Sequence, residues 1–130
     1  MKIIFYDVEH GSCCHIITPH NKHILVDVGS KTDSSIVKHI RNKYFNGNRR
    51  SIDELIITHP HVDHIYDLPN LMTLLPPDVL LRTPVPFEIK PDKTNTTHVN
   101  VITVWNKINK DYNQPVAFDT APINAQVNGG

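Results

Sequence analysis

Residues 54–68 read ELIITHPHVDHIYDL, and no other stretch constrains this chain as strongly. Leu55, Ile56 and Ile57 form a continuous apolar run of strand length, so a buried strand is predicted over 55–59. Three histidines and an aspartate follow within six positions: His59, His61, Asp63 and His64. An isolated histidine is commonly a hydrogen-bonded surface or core residue. Four such donors placed directly after a buried strand point instead to a metal. In an extended loop His59 and His61 can turn towards one point and share one ion. Asp63 and His64 come where the chain should bend into a helix; they face the same pocket from another angle and can hold a second ion. Imidazole and carboxylate donors suit zinc, manganese or iron without any thiolate. The strand before the motif fixes the loop, as catalytic ligands require.

The elements around this motif follow from pattern. KIIFYDV (2–8), a strand over 14–18 with Cys13 just before it, and HILVDVG (23–29) read as three short strands joined by turns at Gly11 and at 19–22, an antiparallel meander. The period then changes: Ile36, Val37, Ile40 and Tyr44 lie on one helical face, with Asp33 or Ser34 as cap and Asn46-Gly47-Asn48 as stop. After the histidines, Leu68, Leu71, Met72 and Leu75 mark a short helix ended by Pro76-Pro77. A strand at 79–82, a proline-bearing loop and a helix carrying Val101, Val104, Trp105 and Ile108 come next, with Thr96 or Thr97 as cap. Short strands at 116–118 and 123–127 finish the chain. Strands alternating with helices after an antiparallel start favour a layered α/β sandwich.

At 130 residues the chain has the size of one domain, 1–130, with a modest core. Thirteen basic residues balance thirteen acidic ones, so the basic excess of a dedicated nucleic-acid binder is missing. A nucleotide or nucleic-acid substrate stays open, because a metal can supply positive charge locally. No apolar run is long enough for a bilayer, so no membrane partner is expected. Adjacent Cys13 and Cys14 read as reduced, partly buried residues of a cytoplasmic protein.

THPHVDH resembles the HxHxDH signature of the metallo-β-lactamase superfamily. Independently, FYDVEHGSCCHIITPHNKHILVDVGS resembles the opening of the hydrolase-like domain of bacterial competence DNA-uptake proteins, where a DVG-x-GD turn precedes a hairpin and LIDTG. The resemblance covers about residues 2–75 and implies the N-terminal half of an αββα sandwich, one sheet with flanking helices. It implies His59 and His61 as ligands of a first zinc, and Asp63 and His64 as ligands of a second, with manganese or iron as alternatives. It also implies Asp63 as the catalytic residue orienting the attacking water, and Asp27 as the carboxylate propping the histidine loop from behind. Gly29 is expected to permit the close turn beneath the site. The opening turn departs from these relatives: Glu9 and Ser12 stand where they commonly carry Gly and Asp. His10 in that turn reads as a surface residue.

A complete site of that family draws three more ligands from its C-terminal half: a histidine, a bridging aspartate and a final histidine. After His64 this chain has one histidine, His98, at the polar start of a helix, while Asp111 and Asp119 sit without a partnering histidine. The expectation is therefore the N-terminal part of a metal-dependent hydrolase. Its full form would use a metal-bound hydroxide, on phosphodiester bonds by analogy, and the isolated chain would be inactive. The alternative is a non-catalytic half-domain or interaction module that completes a site or sheet with a second chain or the missing C-terminal half. Asn128-Gly129 after the last strand suggests a hairpin whose partner strand should follow. A di-iron redox site is a third option that the motif does not separate from zinc.

Overall fold

A computed structural model describes residues 1–48, 50–83, 88–112, 114–115 and 125–127. In chain order its elements are β1 (Lys2–Phe5), β2 (Cys14–Ile17), β3 (His23–Val26), α1 (Ile36–Phe45), β4 (Ile52–Ile57), α2 (Val62–Ile65), α3 (Leu68–Leu74), β5 (Pro77–Arg82), α4 (Thr96–Asp111), β6 (Gln114–Pro115) and β7 (Ala125–Val127). The strands form one mixed sheet in the order β1-β2-β3-β4-β5-β7-β6. The meander is present: β1 pairs antiparallel with β2, and β2 with β3. After α1 the chain returns parallel, β4 beside β3 and β5 beside β4. Both crossovers therefore deliver their following loops to the carboxyl ends of β3 and β4, where open α/β sheets place ligands.

Register shows why one face is the core. Ile4, His15, Leu25, Leu55 and Leu80 align across β1 to β5, and the last four are fully buried. The helices lie on this face. Tyr44 and Phe45 of α1 pack on His15 and His23, and Arg82 of β5 donates to the Asn109 carbonyl of α4 at 2.7 Å. Val37, Ile40, Leu68, Leu71, Val101 and Trp105 close the layer; burying each such side chain contributes about 1.5–3 kcal/mol. The opposite face carries Ile3, Ile16, Ile24, Glu54 and Val79 in one row and Phe5, Cys14, Val26, Ile56 and Leu81 in the next. Ile3 is 53% and Phe5 81% exposed. Burial among these apolar neighbours pushes the Glu54 carboxyl up.

Several boundaries differ from the sequence pattern. β3 stops at Val26 because Asp27 enters the left-handed region (φ 56°). The α1 cap is Ser35, not Asp33 or Ser34: its hydroxyl accepts from Lys38 N and donates to the buried Asp67. Asn95, not Thr96 or Thr97, caps α4. Pro77 opens β5 opposite Ile52 rather than only ending a helix, a place where its missing N–H costs little. β7 already has neighbours on both sides, β5 and β6, so Val127 is not waiting for a later strand. The predicted strand at 116–118 lies outside the described residues.

A buried polar chain crosses the core face. The Tyr6 hydroxyl lies 3.2 Å from His15 Nδ1, and His15 Nε2 lies 2.9 Å from His23 Nδ1. Burial, with His23 and Lys2 nearby, pulls the His15 imidazole down to about 4. Burial also lowers His23, opposed by Asp53. The His15 ring thus stays neutral in the folded chain at pH values where an unfolded chain, protonating near 6.5, takes up a proton. Below that pH the unfolded chain binds protons that the folded chain refuses, so stability falls as pH drops. Going from pH 7.5 to 5 should cost on the order of 2 kcal/mol through His15 alone. Urea unfolding at both pH values should show this loss, and His15→Phe should flatten it; equal slopes for the two proteins would refute the assignment.

Candidate metal centre

The site is built outward from Asp27. Its main-chain N–H donates to the Ile56 carbonyl at 2.7 Å, extending the β3–β4 ladder by one step. The backbone then turns left-handed, which aspartate tolerates better than most residues. This turn places the side chain where the next ladder acceptor would be: Thr58 N–H donates to Asp27 Oδ1 at 2.8 Å. The other oxygen, Oδ2, accepts from the Thr58 hydroxyl at 2.7 Å, the Ser12 hydroxyl at 2.9 Å and His64 Nδ1 at 2.8 Å. Asp27 is 1% exposed, and these donors satisfy it.

Two tautomers follow from this arrangement. A carboxylate only accepts, so His64 carries its proton on Nδ1 and keeps the lone pair on Nε2. The Thr58 hydroxyl, having donated to Asp27, can only accept from His59 Nδ1 at 3.1 Å. His59 therefore also leaves Nε2 unprotonated. One buried carboxylate thus sets the exposed nitrogen of two histidines, as outer partners do at imidazole–metal sites. His64 Nε2 lies 3.9 Å from Asp63 Oδ2. The ring of His59 sits 3.9 Å from that of His64 and 4.6 Å from that of His61, centre to centre.

The structure therefore gathers His59, His61, Asp63 and His64 at the carboxyl end of β4, with Asp27 behind them. It does not aim them at one point. Among the described residues no three His, Cys, Asp or Glu side chains are disposed to hold one metal ion. The His59 ring meets His61 edge-on and lies tilted against His64, so the imidazoles crowd together instead of spreading around a centre. The donor chemistry fits a metal all the same: unprotonated Nε2 atoms at His59 and His64, and a carboxylate beside the latter. His10 is exposed, as expected of a surface histidine. His98 lies at the start of α4, and Asp111 pairs with Lys107 of its own helix. Asp119 lies outside the described residues.

The sequence pattern passed over Thr58, the contact of Gly11 with the Asp63 backbone, and the contact made by Ser12. Val28 N–H donates to the His64 carbonyl at 2.8 Å, Asp67 N–H to the Val28 carbonyl at 3.0 Å, and Gly29 N–H to the Ser12 carbonyl at 2.9 Å. These bonds draw the Asp63 backbone onto two glycines. A Cβ at Gly29 would stand 2.5 Å from the Asp63 carbonyl oxygen, and one at Gly11 (φ +84°) 1.9 Å from it. Glu9 is also left-handed (φ 62°), at the position where the resembling turn carries Gly. That is the signal that could have marked the turn as a strained support for the motif.

Residues 9–118 match the family model of the metallo-β-lactamase superfamily. Among solved structures, a HARLDQ-motif mutant of the metallo-β-lactamase from Cronobacter sakazakii is similar at 28% identity and a TM-score of 0.41, over 56% of this chain. The chain spans 28% of that relative's length. No curated protein matches the sequence.

The glycine contacts are directly testable. Gly29→Ala and Gly11→Ala should each destabilise the chain by about 1–3 kcal/mol or more, since the obstructing atoms are backbone. Gly47→Ala, whose Cβ would meet only the Asn42 side chain at 3.4 Å, should lose about 1 kcal/mol through its positive φ alone. Urea midpoints that rank Gly47→Ala as the most damaging would contradict this packing.

Proposed function

This chain belongs to the metallo-β-lactamase superfamily, a family of metal-dependent hydrolase-type domains, and from that premise we propose that its metal ligands are His59, His61, Asp63 and His64. The observation that carries this reading is the Asp27 network, which leaves Nε2 of His59 and of His64 unprotonated, the latter 3.9 Å from the Asp63 carboxylate. Zinc fits these donors best, with manganese or iron as alternatives, in two sites once the full ligand set is assembled. A bound ion supplies Lewis acidity and lowers the pKa of water towards neutrality. Asp63, exposed within the motif, would accept a hydrogen bond from the attacking water at a carboxylate oxygen and so orient it. Asp27 and Thr58 hold the two imidazoles in the tautomer this needs.

The bonds attacked are proposed to be phosphodiesters of nucleic acid or nucleotide, on the likeness of the opening turn to competence-type domains. The chain on its own is proposed to be inactive. In support, His98 begins a helix and Asp111 is committed to Lys107, so the described residues offer no evident completion of the ligand set. Residues 1–130 are proposed to form one domain unit, the N-terminal part of a larger sandwich. A second reading, a non-catalytic module completed by a partner chain, draws support from the open apolar face around Ile3 and Phe5. No described helix is long and apolar enough to cross a membrane, and both cysteines are free; the latter favours a cytoplasmic location.

Elemental analysis of the purified chain, beside a His59→Ala/His61→Ala variant, tests the ligands. One or more equivalents of metal are expected in the former, falling to background in the latter. Equal content in the two would reject His59 and His61 as ligands. A phosphodiesterase rate above the variant's would overturn the proposed inactivity.

A further inference from the structure

Ser12 sits where resembling turns commonly carry aspartate, yet its surroundings give the hydroxyl a specific task. It donates to Asp27 Oδ2 at 2.9 Å and lies 3.4 Å from His64 Nδ1. Its own carbonyl accepts from Gly29 N–H at 2.9 Å, and Gly11 before it abuts the Asp63 backbone. Ser12 is therefore held by main-chain contacts on both sides, and its hydroxyl is aimed rather than free. With Thr58 and His64 it fills Oδ2 of Asp27 with three donors. An aspartate at this position would instead set one acceptor against another.

We propose that Ser12 is a positioning residue for the metal site: its hydroxyl locks the Asp27 carboxylate, and through it the Nδ1–H tautomer and ring orientation of His64. Two consequences follow from the geometry. Saturated by Ser12, Thr58 and His64, Asp27 does not turn outward to become a ligand itself. His64 presents Nε2, not Nδ1, to the same side as Asp63. The role deepens the proposed function, because it is exerted on a residue assigned there as a ligand. It also replaces a charged group of the resembling turns with a neutral donor, so the site carries one negative charge fewer at position 12.

The test uses the whole chain with Ser12→Ala and Ser12→Thr, read in two ways. The first is the His64 tautomer from long-range ¹⁵N–¹H correlations on the metal-free chain. The second is cobalt(II) binding, followed by its visible absorption. Wild type should show His64 in one tautomer. Ser12→Ala should show both tautomers and bind cobalt(II) about tenfold more weakly, the size of effect typical for outer partners of metal-bound histidines. Ser12→Thr, which keeps the hydroxyl, should restore both. A merely structural role would shift the unfolding midpoint but leave the tautomer alone. If Ser12→Ala does not fold, Ser12→Cys, similar in shape but a far weaker donor, is read in the same way. A single His64 tautomer and cobalt(II) affinity within about twofold of wild type, in a variant lacking the hydroxyl, would overturn the proposal. Failure of the wild type to bind cobalt(II) would count against the proposed metal ligands, and the tautomer measurement would still decide the role of Ser12.

Discussion

The carboxylate of Asp27 is the contact on which the rest of this site depends. It continues a parallel ladder with its side chain where its own backbone has turned away, so the end of β3 and the loop after β4 are tied at one buried point. Four donated hydrogen bonds converge on it. A buried carboxylate is costly unless satisfied so fully, and removing one donor leaves an expensive charge behind. That sensitivity makes the arrangement specific. Ring tautomers at His59 and His64 are settled by which atoms are left to accept, not by any property of histidine itself.

Close backbone approach is the second constraint, and it explains why the opening turn is built as it is. Gly11 and Gly29 let the Asp63 main chain settle onto the turn and the end of β3, while Val28 donates its N–H to the His64 carbonyl and accepts from Asp67 N–H at either end of the short helix α2. The histidine motif is thereby clamped from beneath by atoms that cannot swing aside. Asp67 anchors the other end: its carboxylate accepts from Val37 N–H, Ser35 and Asn70 and fastens α1 to α3. Functional donors thus stand on a frame rigid at the backbone, where side-chain flexibility would cost geometry.

Both faces of the sheet bear on function. The helical face buries its apolar row together with the Tyr6–His15–His23 chain, whose polar atoms answer one another. The other face leaves Ile3 and Phe5 in the open. Imidazole and carboxylate groups gather at the end of β4, but the described residues do not close them around one point.

Much of this was legible in the residues alone. The run Leu55–Ile57 and the histidines after it announced a strand delivering a cluster of imidazoles and a carboxylate, because period and spacing are local properties. The meander and the stop at Asn46-Gly47 were readable for the same reason. Helix caps were missed by one or two positions at Ser35 and Asn95, since several neighbouring hydroxyls and amides compete and only the bond to Asp67 or His98 N–H chooses among them. Nothing local announced that Asp27 is left-handed, that Thr58 relays its charge to His59, or that Ser12 shares its oxygen. Nor did local pattern reveal that Val127 lies between β5 and β6. Sequence by itself determined which donors this chain owns and which strand presents them, because those follow from residue type and period. Which nitrogen each donor exposes, and which glycine its backbone rests on, only the tertiary structure decided, because the bonds of Asp27 to Thr58 and His64 and the glycine contacts with Asp63 join residues 31 to 52 positions apart.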